Sequence, residues 1–183
     1  KSVVEEMLEN PDKIQLGGER KECTVIFSDV AGFTTIAEQM SPEALVKLLN
    51  QYLTEMTNII FKNDGTLDKY EGDAIMAEFG LPIEIADNEK ISAYNACKAA
   101  IEMQGKIETI KKEYTQINTQ DLKIRIGINS GQVIAGNMGS EDLFDYTVIG
   151  DEVNLASRLE GVNKFYNTKI MIGQKTNNLI NDK

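Results

Sequence analysis

The chain has 183 residues, 42% of them hydrophobic, and carries a formal net charge of −10 with no histidine. That length fits one globular domain with an ample core, and no apolar run is long enough to span a membrane. The acidic balance argues against a nucleic-acid partner, which needs clustered Lys and Arg, and the missing imidazole excludes histidine general bases and His-ligated zinc.

Two separated cysteines, Cys23 and Cys97, cannot form a thiolate zinc site, so carboxylate oxygen is what remains for a metal, and it prefers Mg2+ or Mn2+. Cysteine usage and the lack of a signal-peptide pattern lead us to expect reduced thiols in the cytoplasm.

Lys1 to Asn10 reads as the tail of a helix stopped by Pro11, and the chain opens without methionine. We expect residues 1–16 to be a helical stub or linker from a longer protein, and residues 17–183 to be the main domain. Gln15 to Lys21 reads as a mostly polar, glycine-containing connector. Thr24 to Thr35, TVIFSDVAGFTT, follows. Val25, Ile26 and Phe27 fit a buried strand, and Asp29 at its end fits either a structural turn or a cation ligand. Gly32 lets backbone N–H groups approach a phosphate where a helix opens.

Ser41-Pro42 marks a helix start, with Ser41 as N-cap and Pro42 at the first helical position. Leu45, Leu48, Leu49, Tyr52, Leu53, Met56, Ile59 and Ile60 recur at helical spacing, so one face is expected in the core. Asn63-Asp64-Gly65 ends that helix. Strands at about Thr66 to Glu71 and Ala74 to Phe79 flank a Glu-Gly-Asp turn, which predicts a hairpin with the Asp73 carboxylate at its tip. A second amphipathic helix is expected over Asn88 to Tyr114, burying Ala93, Ala96, Cys97, Ala100 and Ile107.

Leu122, Ile124, Ile126 and Ile128 alternate with polar or small residues and predict a half-buried strand. Ser130-Gly131 is read as a turn, with Val133 to Gly139 returning and a further strand through Tyr146 to Ile149. Asp151 is expected to cap a helix from Glu152 to Asn163, on which Asn154 and Arg158 lie four apart on one face. A strand from Lys169 to Ile172 and a short helix close the chain. The order predicts an α+β domain with a ferredoxin-like split βαβ core, helices covering one face of a largely antiparallel sheet.

Four segments, FSDVAGFT (Phe27 to Thr34), KYEGDAIMAEFG (Lys69 to Gly80), RIGINSGQVIAGNMGS (Arg125 to Ser140) and DYTVIGDEVNLASRLE (Asp145 to Glu160), together resemble the class III nucleotide cyclase catalytic domain. The resemblance runs from about Gly17 to the end. It implies that Asp29 and Asp73, with the Val30 backbone carbonyl, hold two divalent cations, Mg2+ or Mn2+. Those would bridge a nucleoside triphosphate and lower the pKa of its ribose 3′-hydroxyl, which attacks the α-phosphorus and expels pyrophosphate.

By the same resemblance Lys69 and Thr147 read the purine. Lysine offers donors only, so it suits adenine N1 and conflicts with the guanine N1–H. This pair implies ATP as substrate and an adenylate cyclase; Lys69 as an exposed strand lysine and Thr147 as an ordinary strand former are the plain alternatives. Asn154 and Arg158 match the pair that orients the ribose and neutralises charge on the α-phosphate. Gly32, Phe33 and Thr34 would give backbone contacts to the outer phosphates.

The family's site lies between two domains, so one chain carrying both half-sites is expected to form a head-to-tail homodimer, and a lone monomer to be inactive. The resemblance also implies a phosphate-binding lysine beyond the Asn/Arg helix. None of Lys164, Lys169 or Lys175 matches it, so the fragment alone is expected to be weakly active or inactive. An upstream sensor or membrane module is expected in the parent protein. The alternatives are a guanylate cyclase and a non-catalytic, dimerising cyclase homology domain.

Overall fold

Apolar alternation builds the centre of the molecule. In the computed structural model, which describes residues 16–82, 88–113 and 122–181, β1 (Gly17–Val30) lies antiparallel to β4 (Ile124–Gly139). The register runs without a break from Gly17 opposite Asn137 to Val30 opposite Ile124. β2 (Gly65–Glu71) and β3 (Ala74–Phe79) form the predicted hairpin, and β3 pairs with β1 between Thr24 and Ser28. On the other side of β4, β5 (Phe144–Ile149) pairs antiparallel with Ile134–Gly139, and β6 (Ile170–Ile172) pairs parallel with Ile126–Ile128. The six strands run in the order β2-β3-β1-β4-β5, with β6 beside β4. This is the expected α+β plan with a largely antiparallel sheet.

Five helices complete the described residues: α1 (Phe33–Glu38), α2 (Pro42–Lys62), α3 (Asn88–Glu113), α4 (Asp151–Tyr166) and α5 (Gln174–Asn181). Ser41 caps α2 as predicted, its Oγ accepting from the Ala44 N–H at 3.3 Å with Pro42 in the first turn. Leu48, Tyr52, Met56 and Ile60 of α2 are buried, and with Ala96, Ala100, Met103 and Ile107 of α3 they pack on Ile26, Ile75, Phe79, Ile124, Ile126 and Ile128 of the sheet. Leu45, Leu49, Leu53 and Ile59 flank this face half-buried.

The expectation of helices on one face fails for α4. Val153 and Ala156 of α4 pack with Cys23, Val25, Val133, Ala135 and Val148, the alternate residues of the same strands. Side chains alternate along a strand, so α4 covers the opposite face. Cys23 and Cys97 are both free.

Three further expectations are corrected. Gly17 to Lys21 is not a connector but the exposed first half of β1, polar because its side chains face solvent while its backbone pairs with β4. Ser130-Gly131 is not a turn: β4 runs straight through it, Ser130 opposite Thr24 and Gly131 opposite Cys23. The pair suits the interior of a sheet here, because Ser130 Oγ bonds Thr24 Oγ1 at 2.8 Å and Thr176 Oγ1 at 2.9 Å. Gly131 has no Cβ where one would meet the Glu152 side chain at 2.6 Å. Asp151 does not cap α4; Gly150 holds the N-cap position without a side-chain bond, and Asp151 sits in the first turn, where its charge favours the helix N-terminus. The stub over Lys1–Asn10, Gln15 and Tyr114 lie outside the described residues.

Gly127 fixes how closely α4 approaches the sheet. A Cβ there would lie 2.1 Å from the Ala156 carbonyl oxygen and 2.2 Å from the Glu160 backbone nitrogen, and only a shift of the whole helix relieves that. Gly127→Ala is expected to cost about 3 kcal/mol of stability, at the upper end for overpacking. A denaturant-unfolding midpoint unchanged by the substitution would refute this packing.

Candidate active site

Asp29 is the penultimate residue of β1, and Asp73 lies in the β2–β3 turn, where Gly72 takes the left-handed backbone (φ 66°) that a tight hairpin needs. The sequence set them forty-four positions apart; pairing of β3 with β1 brings them together. The Val30 N–H donates to Asp73 Oδ2 at 3.2 Å. Asp73 is pushed up to about 6, first by burial, then by the hydrogen bond its protonated form donates to Asp29 and by the Asp29 charge, with the Val30 N–H opposing. Two carboxylates held this close without a cation repel each other when both are ionised, so Asp73 holds its proton to a higher pH than a free aspartate does.

Arg125 faces Asp29 across the β1–β4 ladder. Its Nη2 donates to Asp29 Oδ2 at 2.7 Å and its Nε to Glu160 Oε1 of α4 at 2.8 Å. Glu160 is raised by burial, which Arg125 partly offsets. Sequence reading passed over Arg125 as one polar member of an alternating strand. Its position opposite Asp29 becomes visible only with the register.

The elements that carry the donor set also fit a cation. Asp29 and Asp73 come together beside the Val30 backbone, and carboxylate and carbonyl oxygens are donors of the kind Mg2+ and Mn2+ take. Among the described residues no cluster of three or more acids, cysteines or histidines surrounds them, so such an ion would take further ligands from a substrate or water. Gly32 has φ 72° and its carbonyl accepts from the Thr35 and Ile36 N–H groups, opening α1 just after the acid. Gly32 and Thr34 are exposed, while Phe33 packs against the core and anchors the turn.

Lys69 and Thr147 come from β2 and β5, the two ends of the strand order, yet the curled sheet joins them through one residue. Thr147 Oγ1 donates to Asp68 Oδ2 at 2.6 Å, and Lys69 Nζ lies 3.2 Å from Asp68 Oδ1. The ladder slips between Leu67 and Lys69, a β-bulge at Asp68, and bulges re-aim side chains in this way. The Asp68 side chain is 0% exposed. Beneath it, fully buried Glu78 is raised well above the usual carboxyl range by burial and then by the Asp68 charge, Lys69 pulling the other way. Sequence reading missed Asp68, although an aspartate inside a strand is unusual enough to be a signal.

Asn154 and Arg158 are exposed on the face of α4 turned away from Val153 and Ala156. Among the described residues neither side chain is bonded to the acid pair or to the Lys69–Thr147 pair. Three contacts fix the helix that bears them: Asn129 Nδ2 to the Glu152 carbonyl at 3.0 Å, Arg125 to Glu160, and Asn163 Nδ2 to the Ile126 carbonyl at 3.0 Å. The structure thus brings two of the predicted groups together within themselves and leaves the third facing outward.

A sequence-family model described as the adenylate and guanylate cyclase catalytic domain matches residues 18–183. Adenylate cyclase 1 of Rhizobium meliloti is 34% identical over 152 residues, 83% of this chain, and the chain spans 22% of that protein's length. Among solved structures, the adenylyl cyclase CyaB from P. aeruginosa superposes with a TM-score of 0.83 at 42% identity, covering 91% of this chain and 84% of its own. The guanylyl cyclase Cya2 superposes with a TM-score of 0.80 at 37% identity, covering 91% and 82%. No described helix is long and apolar enough to cross a membrane.

Because the folded state prefers protonated Asp73, the stability this group contributes is full below its ordinary value of 3.8 and is lost as pH rises through about 6. Asp73→Asn removes the repulsion and keeps an acceptor for the Val30 N–H. Without divalent metal it is expected to raise stability at pH 7.5, and solvent screening at this half-exposed position limits the gain to about 1 kcal/mol. At pH 3.5 the gain should vanish. Unfolding midpoints at both pH values, in chelator, check the sign.

Proposed function

The chain belongs to the family of adenylate and guanylate cyclase catalytic domains, and from that membership we propose that it is an adenylate cyclase domain converting ATP to 3′,5′-cyclic AMP and pyrophosphate. The observation that carries this reading is the convergence of Asp29 and Asp73 on one spot, with the charge repulsion that a divalent cation relieves. Two Mg2+ or Mn2+ ions bound there, with the Val30 carbonyl as a further ligand, would neutralise the triphosphate and favour ionisation of the ribose 3′-hydroxyl.

The chain's own residues supply the rest. Gly32, Phe33 and Thr34 offer backbone N–H groups to the β- and γ-phosphates. Lys69 donates to adenine N1, and the Thr147 oxygen accepts from the 6-amino group. Asn154 holds the ribose, and the planar fork of Arg158 meets the charge growing on the α-phosphate.

Asn154 and Arg158 are exposed and, among the described residues, bonded to neither pair, which supports a site completed by a second copy. We take the working form to be a head-to-tail homodimer, each copy giving Asp29 and Asp73 to one site and Lys69, Thr147, Asn154 and Arg158 to the other. A sensor or membrane module elsewhere in the intact protein, joined ahead of residue 17, belongs to the same proposal. The resemblance to Cya2, a guanylyl cyclase, makes GTP the competing substrate.

Product analysis of the intact protein with ATP and with GTP, each with Mn2+, tests the reading. Cyclic AMP should dominate, Asp73→Ala should abolish it, and Lys69→Glu should move the preference toward GTP. Cyclic GMP from the unaltered protein would overturn the purine assignment and keep the chemistry.

The dimer has its own test. Asp29→Ala and Arg158→Ala should each be inactive alone. Mixed in equal amounts, they should recover about a quarter of the unaltered activity, because half the dimers are mixed and each mixed dimer keeps one intact site. Absence of any recovery, with mixed dimers demonstrated, would refute the shared site.

A further inference from the structure

We propose that Asp68 is a specificity-positioning residue: its buried carboxylate takes the only proton of the Thr147 hydroxyl and anchors the Lys69 ammonium, so that the pair presents one acceptor and one donor to the purine. This rests on the adenylate cyclase reading above and assigns the origin of its base preference.

The geometry is specific. A threonine hydroxyl has one hydrogen and two lone pairs, and rotates to suit its surroundings. On its own it could accept from the amino group of adenine or donate to the O6 of guanine, and so would discriminate poorly. Thr147 Oγ1 spends its hydrogen on Asp68 Oδ2 at 2.6 Å, a short charge-assisted bond. The hydroxyl then has only lone pairs left for a ligand, which fits the 6-amino donor of adenine and opposes a carbonyl oxygen.

Lys69 is held differently. Its Nζ is 3.2 Å from Asp68 Oδ1, yet that oxygen makes no aligned hydrogen bond among the described residues. Charge therefore keeps the ammonium in place while its N–H groups stay available for a ring-nitrogen acceptor.

The surroundings make Asp68 hard to replace by water or by another group. Its side chain is 0% exposed, whereas that of Lys69 is 39% exposed, so the acid lies behind the lysine and outside direct ligand contact. The bulge between Leu67 and Lys69 turns both neighbours to the task. Glu78, buried below, is raised well above the usual carboxyl range, first by burial and then by the Asp68 charge, which weakens it as a rival for Lys69.

The probe is the triphosphate of purine riboside, which lacks the 6-amino group, compared with ATP and GTP in the intact protein. Unaltered protein should turn over ATP with a kcat/KM about tenfold above purine riboside triphosphate, the worth of one hydrogen bond. In Asp68→Ala that ratio should fall to about one, because the freed hydroxyl no longer favours the amino group. Thr147→Val should lower it to the same value, and adding Asp68→Ala to Thr147→Val should lower it no further.

A structural role alone would reduce kcat/KM for both nucleotides alike and leave the ratio unchanged, which would overturn the proposal. Asp68→Asn, of nearly the same shape, covers the case in which the alanine variant does not fold. Losing the charge that anchors Lys69, it should lower the ATP-over-GTP ratio by about tenfold, and an unchanged ratio would again overturn the proposal. The two readings fail separately. If the unaltered protein makes no cyclic AMP, the adenylate cyclase reading falls and takes this inference with it. If it does, and discrimination survives loss of Asp68, the inference falls alone.

Discussion

The unbroken pairing of β1 with β4 is the constraint on which the rest depends. It sets Asp29 opposite Arg125 at one end and Gly18 opposite Gly136 at the other, and every other strand except β2 docks on one of these two. β3 lies along the inner half of β1 and carries the Asp73 turn to Asp29. β5 lies along the outer half of β4 and carries Thr147 toward β2. A slip of one residue would turn Asp29 to the opposite face, into the α2–α3 core, so the apolar alternation that fixes the register also fixes the chemistry.

Glycine performs a quite different task in this sheet from the one its turn-forming reputation implies. Gly127, Gly131 and Gly136 all lie inside β4, and each leaves room for another backbone or side chain: α4 at Gly127, Glu152 at Gly131, the start of β1 at Gly136. The strand is therefore a seat, shaped for α4 on one side and for its own partner at the far end. The helix placed there is held by Asn129, Asn163 and Arg125, so Asn154 and Arg158 are exposed on a helix whose position is not free.

This explains which parts were readable beforehand. Asp29 and Asp73 stood out because an acid ending a strand and an acid at a hairpin tip are poor core residues, and β-pairing needs only local signals to unite them. The α2 helix was legible from Ser41, Pro42 and its apolar spacing. Ser130-Gly131 misled because a glycine that admits a helix and one that makes a turn look identical in a linear string, and only the register tells them apart. Asp151 misled for a related reason: the N-cap is defined by backbone angles, and Gly150 adopts them. Asp68 could be noticed as an aspartate inside a strand, but its role could not be read, because it depends on a bulge and on the curl of the sheet, which join residues 79 positions apart.

Arg125 links Asp29 to Glu160, and so the end of β1 to the helix carrying Asn154 and Arg158. An arginine held between two acids keeps the cleft from accumulating unbalanced charge, and so lowers the cost of folding it without an ion. Because the same arginine bonds a strand end and a helix, loss of its side chain would unbalance the charge and loosen the seat of α4 at one stroke.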